Sequence, residues 1–339
     1  MIEQHPHRAT ILPVPSEVQR PLWSVMIPTY NCAEYLRETL ASVLAQDLDP
    51  DLMQIEVIDD CSTQDDPKAV VEELGKGRVE FYRQPQNVGY IKNFETCVQR
   101  SRGHLVHLLH GDDRVRPGFY QKLQQGFEQS PDIGAAFCRC IYMEPDGHWE
   151  ALTNLEQRTS GIIENWLEKI ATGQRLLTPS AVVRRQVYEK LGGFDTRFIC
   201  TGEDWEMWVR IATSYPVWYE AEPLAEYRVR RPGSLSGNTT RSGRFSQDMI
   251  IATEIIESYL PRYVSNEESK RLIKQARKLS AFWALEAANC ALLDMDFFAF
   301  TTQVQQALKC DPSLKTVRSA TKLLLKQGKR LTKKRFSSK

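Results

Sequence analysis

Three apolar runs in the first third of the chain stop abruptly at polar turns. WSVMIP leads into Thr29 and Tyr30, IEVID into Asp60, and HLVHLL into His110, Asp112 and Asp113. Each run has the length of a buried strand. Between them, Leu36, Leu40, Val43 and Leu44 fall at helical spacing, and so do Ile91, Phe94 and Val98 after a further strand in RVEFYRQPQN. Asn31 is the expected N-cap of the first helix, Pro67 opens a second towards Leu74, and Gly103 is the expected stop of the third. Strands alternating with helices of this length predict an α/β fold with a mainly parallel sheet flanked by helices. Ligands of such a sheet gather at the carboxyl ends of its strands. Thr29, Asp60, Asp112 and Asp113 all sit at such ends, so the paired aspartates face a crevice.

The alternation loosens downstream, through IGAAFCRCIYM, LLTPSAVVRRQVYEKLGGFD, TGEDWEMWVRIA and PLAEYRVRRPGSLS. Gly192 and Gly193 close one helix, and Glu203 and Asp204 open another. From about Arg241 the sequence reads almost wholly helical, which places a boundary near Gly237. The expected organisation is an arm (1–22), an α/β domain (23–236) with a nucleotide-binding half (23–120) and an acceptor half (121–236), and a helical region (237–339). AFWALEAANCALLDMDFFAF is interrupted by Glu286, Asn289, Asp294 and Asp296, so it predicts a packed helical hairpin rather than a membrane span. Its faint resemblance to a tetratricopeptide unit has no second copy.

Composition excludes some partners. With 44 Lys and Arg against 43 Asp and Glu, the net charge of +1 argues against capture of nucleic acid by bulk electrostatics. Eight cysteines without a CxxC pair read as reduced, buried thiols of a cytoplasmic protein. The polar, Pro-punctuated N-terminal arm does not read as a signal peptide. His104, His107 and His110 alternate along a strand, so the middle ring faces away from the other two and a three-histidine zinc site is not expected.

Adjacent carboxylates at a strand end are hard oxygen donors suited to Mn²⁺ or Mg²⁺, ions that share their shell with phosphates. The plainer reading is that they cap the next turn. The order of motifs bears on that choice: SVMIPTYN, IEVIDDCST, NVGYIKNF, HLLHGDD, GGFDTRF, GEDWEMWVRI and YRVRRPGSLS. Over Trp23 to Ser236 this series resembles the family-two GT-A inverting glycosyltransferases.

The resemblance implies a metal-dependent transfer of a sugar from a nucleotide-diphosphate donor to a hydroxyl of a glycan, lipid-linked or other acceptor. UDP is the favoured nucleotide, with thymidine and guanosine diphosphates left open. Pro28, Thr29 and Tyr30 would line the nucleotide, Asp60 would bind its base or ribose, and Asn93 would flank that pocket, with capping or packing as its alternative. Asp112 and Asp113 take the place of the metal and ribose contacts. Asp204 takes that of the general base, with Glu203 and Trp205 orienting the acceptor. Two positions depart from the pattern. His110 stands where the first acid of D-x-D-D is often found, a histidine that either lines the crevice without a metal, the favoured reading, or itself ligates one, and Arg230 stands where a histidine is frequent. A guanidinium cannot ligate a metal but can clamp a diphosphate, which assigns Arg230 to the leaving group, with Arg228 or Arg231 as substitutes.

Two other classes stay open at this point. A catalytically silent scaffold would keep the fold and use its helical C-terminus for partners. A nucleotidyltransferase should show a Gly-rich phosphate loop after the first strand, and PTYNCAEY has none. Beyond Pro312, Val317, Ala320, Thr321, Leu324, Leu325, Gly328 and Leu331 form one helical stripe. Lys315, Arg318, Lys322, Lys326, Lys329 and Lys333 lie opposite. Such a basic amphipathic helix suits peripheral docking on the anionic inner face of a membrane, and docking on the preceding hairpin is its alternative.

Overall fold

The computed structural model describes residues 5–231, 233–234 and 241–337, with the side chains of the last helix described as far as Leu325. It divides into two compact units. One comprises the chain up to Leu167 with Gln174–Arg197 and Met207–Val229; the other comprises Glu168–Gly173, Phe198–Glu206 and the chain from Arg230. The boundary expected near Gly237 lies outside the described residues.

The first unit is built on one sheet. Strands β1 (Trp23–Thr29) and β2 (Met53–Asp59) are buried at every position, as strands covered on both faces must be. With β3 (Glu80–Arg83) and β4 (Leu105–Leu108) they run parallel in the order β3-β2-β1-β4. The sheet then becomes mixed, continuing β9-β6-β10-β5 through Ala181–Arg184, Ala135–Met143, Val217–Arg228 and Arg114–Val115. Only the β6–β10 pair in this half is parallel. Short β7 (Trp149–Leu152) joins β6, and β8 (Gly161–Ile162) joins β10. Leu36, Leu40 and Val43 of helix α1 (Ala33–Leu44) pack into one core with Val25, Ile27 and Val57, as the spacing predicts. Helices α2 (Pro67–Gly75), α3 (Tyr90–Arg100) and α4 (Phe119–Gln129) follow β2, β3 and β5.

Two local expectations are corrected. Asn31 does not cap α1. It adopts a left-handed φ of 47°, and its Oδ1 accepts from the amides of Thr63 (2.9 Å) and Gln64 (3.1 Å). The first free amide of α1, at Ala33, donates instead to Asp65 Oδ2 at 2.7 Å, so the loops after β1 and β2 cap one another. Nor does Gly103 stop α3, which ends on an extended Ser101 whose Oγ donates to the Val98 carbonyl. A Cβ at Gly103 would lie 2.5 Å from the backbone of Trp23 and Ser24. Glycine is needed there because the chain entering β4 crosses the start of β1.

The arm before β1 is an anchored strap. Ile11 is fully buried, the amides of Gly193 and Thr196 donate to the Ala9 and His7 carbonyls, and Arg185 donates to the Leu12 carbonyl. These partners lie in and just after α6 (Arg185–Leu191), which follows the single-turn α5 (Trp166–Ile170).

The second unit carries α8 (Arg244–Tyr259), α9 (Asn266–Leu293), α10 (Phe297–Cys310) and α11 (Leu314–Ser337), after α7 (Glu203–Ala212). The expected hairpin is α9–α10, turning at Met295 with φ 60° and capped by Asp296 on the Ala299 amide. Small residues bring these helices close: Ala288, Ala291 and Ala299 pack with Leu292, Phe300, Val304 and Ala320. The stripe expected on α11 divides. Ala320 is buried against the hairpin, while Val317, Leu324 and Leu325 are exposed. The side chains of Lys326, Gly328, Lys329, Leu331 and Lys333 lie outside the described residues. No described helix is long and apolar enough to cross a membrane.

His107 sits in the core, with Nε2 2.9 Å from the Pro179 carbonyl and Nδ1 3.3 Å from the Tyr120 hydroxyl. Burial lowers its pKa from 6.5 to about 4. The unfolded chain therefore binds a proton between these values that the fold excludes, so stability falls as pH drops through this window. From pH 7 to pH 5 the loss due to His107 is about 2 kcal/mol. Urea denaturation at both pH values should show a drop larger by that amount in the wild type than in His107→Gln, and equal drops would refute the assignment.

Candidate active site

The carboxyl ends of β1, β2 and β4 meet through backbone bonds. The Asp60 amide donates to the Thr29 carbonyl (2.9 Å), and the Gly111 amide to the Pro28 carbonyl (3.0 Å). A Cβ at Gly111 would stand 2.8 Å from Thr29 Oγ1, so glycine lets the HGDD turn lie directly on the end of β1. Pro28 and Thr29 are buried and Tyr30 is exposed. The structure thus brings the strand ends that carry Pro28, Thr29, Tyr30, Asp60 and the paired aspartates together.

Asp60 is already engaged. Its Oδ1 accepts from the Val88 amide (2.7 Å) and its Oδ2 from the Gly89 amide (3.1 Å), fixing the turn before α3. Burial raises its pKa, and these two amides oppose the rise. Asn93 is buried; its Nδ2 donates to the Ile58 carbonyl at 2.9 Å and its Oδ1 accepts from Gln84 at 3.2 Å. These bonds tie α3 to the end of β2 and to Gln84.

The HGDD turn buries a carboxylate. Asp113 is buried and Asp112 half-buried. Asp113 Oδ1 accepts from the Arg228 amide at 2.8 Å, whereas Oδ2 is buried without a hydrogen-bond partner, 3.5 Å from His110 Nδ1. Burial pushes the Asp113 carboxyl up to about 6, with the Asp112 charge adding to the rise and His110 opposing it. Potential ligand atoms of His110, Asp112 and Asp113 lie within 4.8 Å of one another. An orphaned carboxylate oxygen in such a cluster fits a divalent cation, which would supply the positive charge the buried acid lacks.

Arg228, an expected substitute for Arg230 at the leaving group, is engaged within the fold. Its guanidinium is fully buried, paired with Glu38 Oε2 (2.8 Å) and donating to the carbonyls of Asp112 (2.9 Å) and Pro145 (2.6 Å), above the Tyr35 ring. Arg114 ties the same Glu38 to Glu226, and Thr39 Oγ1 donates to the Asp113 carbonyl. Glu38, Thr39 and Arg228 therefore brace the turn, a role that local spacing does not announce because they lie on α1 and β10. Arg230, two residues on, is exposed with φ 55°.

In the second unit, Glu203 and Asp204 head α7 and are both buried. Asp204 Oδ1 accepts from the Trp205 amide at 2.7 Å. Trp205 is fully buried, and its Nε1 donates to the Ile170 carbonyl at 2.7 Å. It is a core residue, which corrects its expected place beside an acceptor. Sequence reading missed Asp248 on α8. Its Oδ2 accepts from the amides of Ile199 (2.9 Å), Cys200 (2.7 Å) and Thr201 (3.2 Å), holding the loop that leads into Glu203. The signal was present: Asp248, Ala252 and Ile255 share one helical face, so a carboxylate falls in a buried stripe.

Asp248→Ala should leave three amides, that of Cys200 buried and those of Ile199 and Thr201 part-buried, without their acceptor and lower stability by about 3 kcal/mol in chemical denaturation. Hydrogen exchange should rise first at residues 199–201. A change below about 1 kcal/mol without faster exchange would show that the loop holds itself.

The sequence profile of glycosyl transferase family 2 matches residues 24–192. An uncharacterized glycosyltransferase of Methanocaldococcus jannaschii is 26% identical over 216 residues, covering 63% of this chain and 72% of its own. Among solved structures, S. aureus TarS 1–349 in complex with UDP-GlcNAc superposes with a TM-score of 0.57 at 15% identity, over 86% of this chain and 91% of its own. Mannosyltransferase PcManGT from Pyrobaculum calidifontis, in complex with GDP-Man and Mn²⁺, gives 0.55 at 20% identity, over 95% and 82%. These two likenesses establish the fold.

Proposed function

Since this chain belongs to glycosyl transferase family 2 and is a transferase enzyme, we propose that it moves a sugar, with inversion, from a nucleotide-diphosphate donor to an acceptor hydroxyl in a metal-dependent reaction. The observation that most supports this reading is the HGDD turn, an unsatisfied buried carboxylate at the crevice formed by the ends of β1, β2 and β4. UDP is the nucleotide favoured by the motif series. That one fold neighbour holds UDP-GlcNAc and another GDP-Man keeps both bases in view.

In this mechanism Thr29, Tyr30 and the Asp60 loop seat the nucleoside. Asp112 and Asp113 hold a divalent cation, which when bound neutralises charge on the diphosphate. Arg230 adds a guanidinium to the departing diphosphate. Asp204 takes the proton from the acceptor hydroxyl as that oxygen attacks the anomeric carbon opposite the leaving group, so configuration inverts without a covalent enzyme intermediate. Glu203 orients the acceptor or the loop.

Asp204→Asn preserves size but cannot accept the proton. Transfer should fall by about two to four orders of magnitude while calorimetry shows donor binding unchanged. Near-normal turnover by the folded variant would remove Asp204 from the mechanism.

The acceptor reading follows from α11. Val317, Leu324 and Leu325 are exposed beside Lys315, Arg318 and Lys322, and no acid follows Asp311. This face suits peripheral docking on an anionic membrane, where a lipid-linked or membrane-proximal acceptor resides, with each basic residue near the headgroups contributing about 1 kcal/mol. The full chain should sediment with anionic vesicles at low salt, and Leu324→Glu with Leu325→Glu should release it. Equal binding by both proteins would reject α11 as the anchor.

A further inference from the structure

We propose that His110 is a metal ligand, and that the resulting one-imidazole, two-carboxylate site selects Mn²⁺ over Mg²⁺. The inference rests on the metal-dependent reading above and concerns a residue at which this chain departs from the D-x-D-D pattern.

Three observations carry it. First, potential ligand atoms of His110, Asp112 and Asp113 lie within 4.8 Å of one another, and no other such group of three occurs among the described residues. Second, the ring is held in place: it stacks on Phe94 at 5.1 Å and 14°, with Nδ1 3.5 Å from Asp113 Oδ2. Phe94 is itself buried on α3, so the imidazole plane is fixed by the core. Third, Asp113 Oδ2 is buried without a hydrogen-bond partner, so His110 flanks the oxygen in most need of a cation. Arg228 does not compete for that oxygen. Its amide takes Oδ1, and its guanidinium is directed to Glu38 and to the Asp112 and Pro145 carbonyls.

The chemistry follows from the donor set. Two carboxylates and a neutral imidazole carry a charge of −2, which matches one divalent ion. Mg²⁺ favours an all-oxygen shell, whereas imidazole is a borderline donor that strengthens binding of first-row transition ions. His110 thus acts at the metal and sets which metal is held, while Asp112 and Asp113 supply the charge.

The test uses the full chain with Mn²⁺ and, in turn, UDP, GDP and dTDP. Pulsed electron paramagnetic resonance of bound Mn²⁺ should show ¹⁴N modulation from a directly coordinated imidazole. Labelling the protein with ¹⁵N-histidine should convert that pattern to ¹⁵N. His110→Asp, which restores three carboxylates, should lose the nitrogen signal yet keep Mn²⁺. Its ratio of Mn²⁺ to Mg²⁺ affinity, by competition calorimetry, should fall about tenfold. Bound Mn²⁺ without nitrogen coupling in the wild type would overturn the inference and leave the metal-dependent reading standing. So would an unchanged affinity ratio in His110→Asp. Absence of Mn²⁺ binding with every nucleotide would overturn both. The wild-type spectrum decides by itself if the variant does not fold.

Discussion

The first unit is organised around a buried carboxylate. Asp113 lies at the end of a hydrophobic strand where water cannot solvate it, and a charge in that position must be held by fixed dipoles or opposite charge. The Arg228 amide meets one oxygen, and the Arg228 guanidinium braces the adjacent carbonyl while drawing its own balance from Glu38. Glu38 is on α1, Arg228 closes β10, and Arg114 links them through Glu226. The two edges of the polar turn are thereby fixed by elements remote in sequence. What remains is one oxygen without a hydrogen-bond partner, 3.5 Å from His110 Nδ1, and the proposed chemistry takes place around it.

Legibility in the sequence followed the range of the interaction. The strands and helices that flank the crevice could be read because burial imposes a local period, as with Leu36, Leu40 and Val43 on α1. Asp112 and Asp113 could be read because they interrupt an apolar run. The role of Asn31 could not, since its loop is capped by Asp65 from a different connection, and a local cap signature does not distinguish the two. Gly103 was misread for a similar reason. Glycine ends helices often, but here its missing side chain answers to the backbone of β1, and its amide donates to Ser24 Oγ, 79 residues earlier.

The same distinction separates Trp205 from Asp204 in GEDWEMW. A pattern of aromatics at helical spacing is compatible with a sugar-stacking platform and with a core face alike. Only the bond from Trp205 to the Ile170 carbonyl, which consumes its one polar atom, decides for the core. Asp248 illustrates the reverse case. A carboxylate within an apolar stripe is visible in the sequence, yet the loop it serves begins 49 residues earlier and has no pattern of its own.

The N-terminal strap has a consequence for how the chain is made. Its bonds join residues separated by 173 positions from Leu12 to Arg185 and by 189 from His7 to Thr196. At ribosomal speeds of about 5–20 residues per second, the strap waits roughly 10–35 s for its seat to emerge. During that interval Ile11, later fully enclosed, is open to water and to other chains. The nascent protein must keep this segment unengaged while β1 to β4 assemble, so the stretch translated before the sheet is among the last to be locked down.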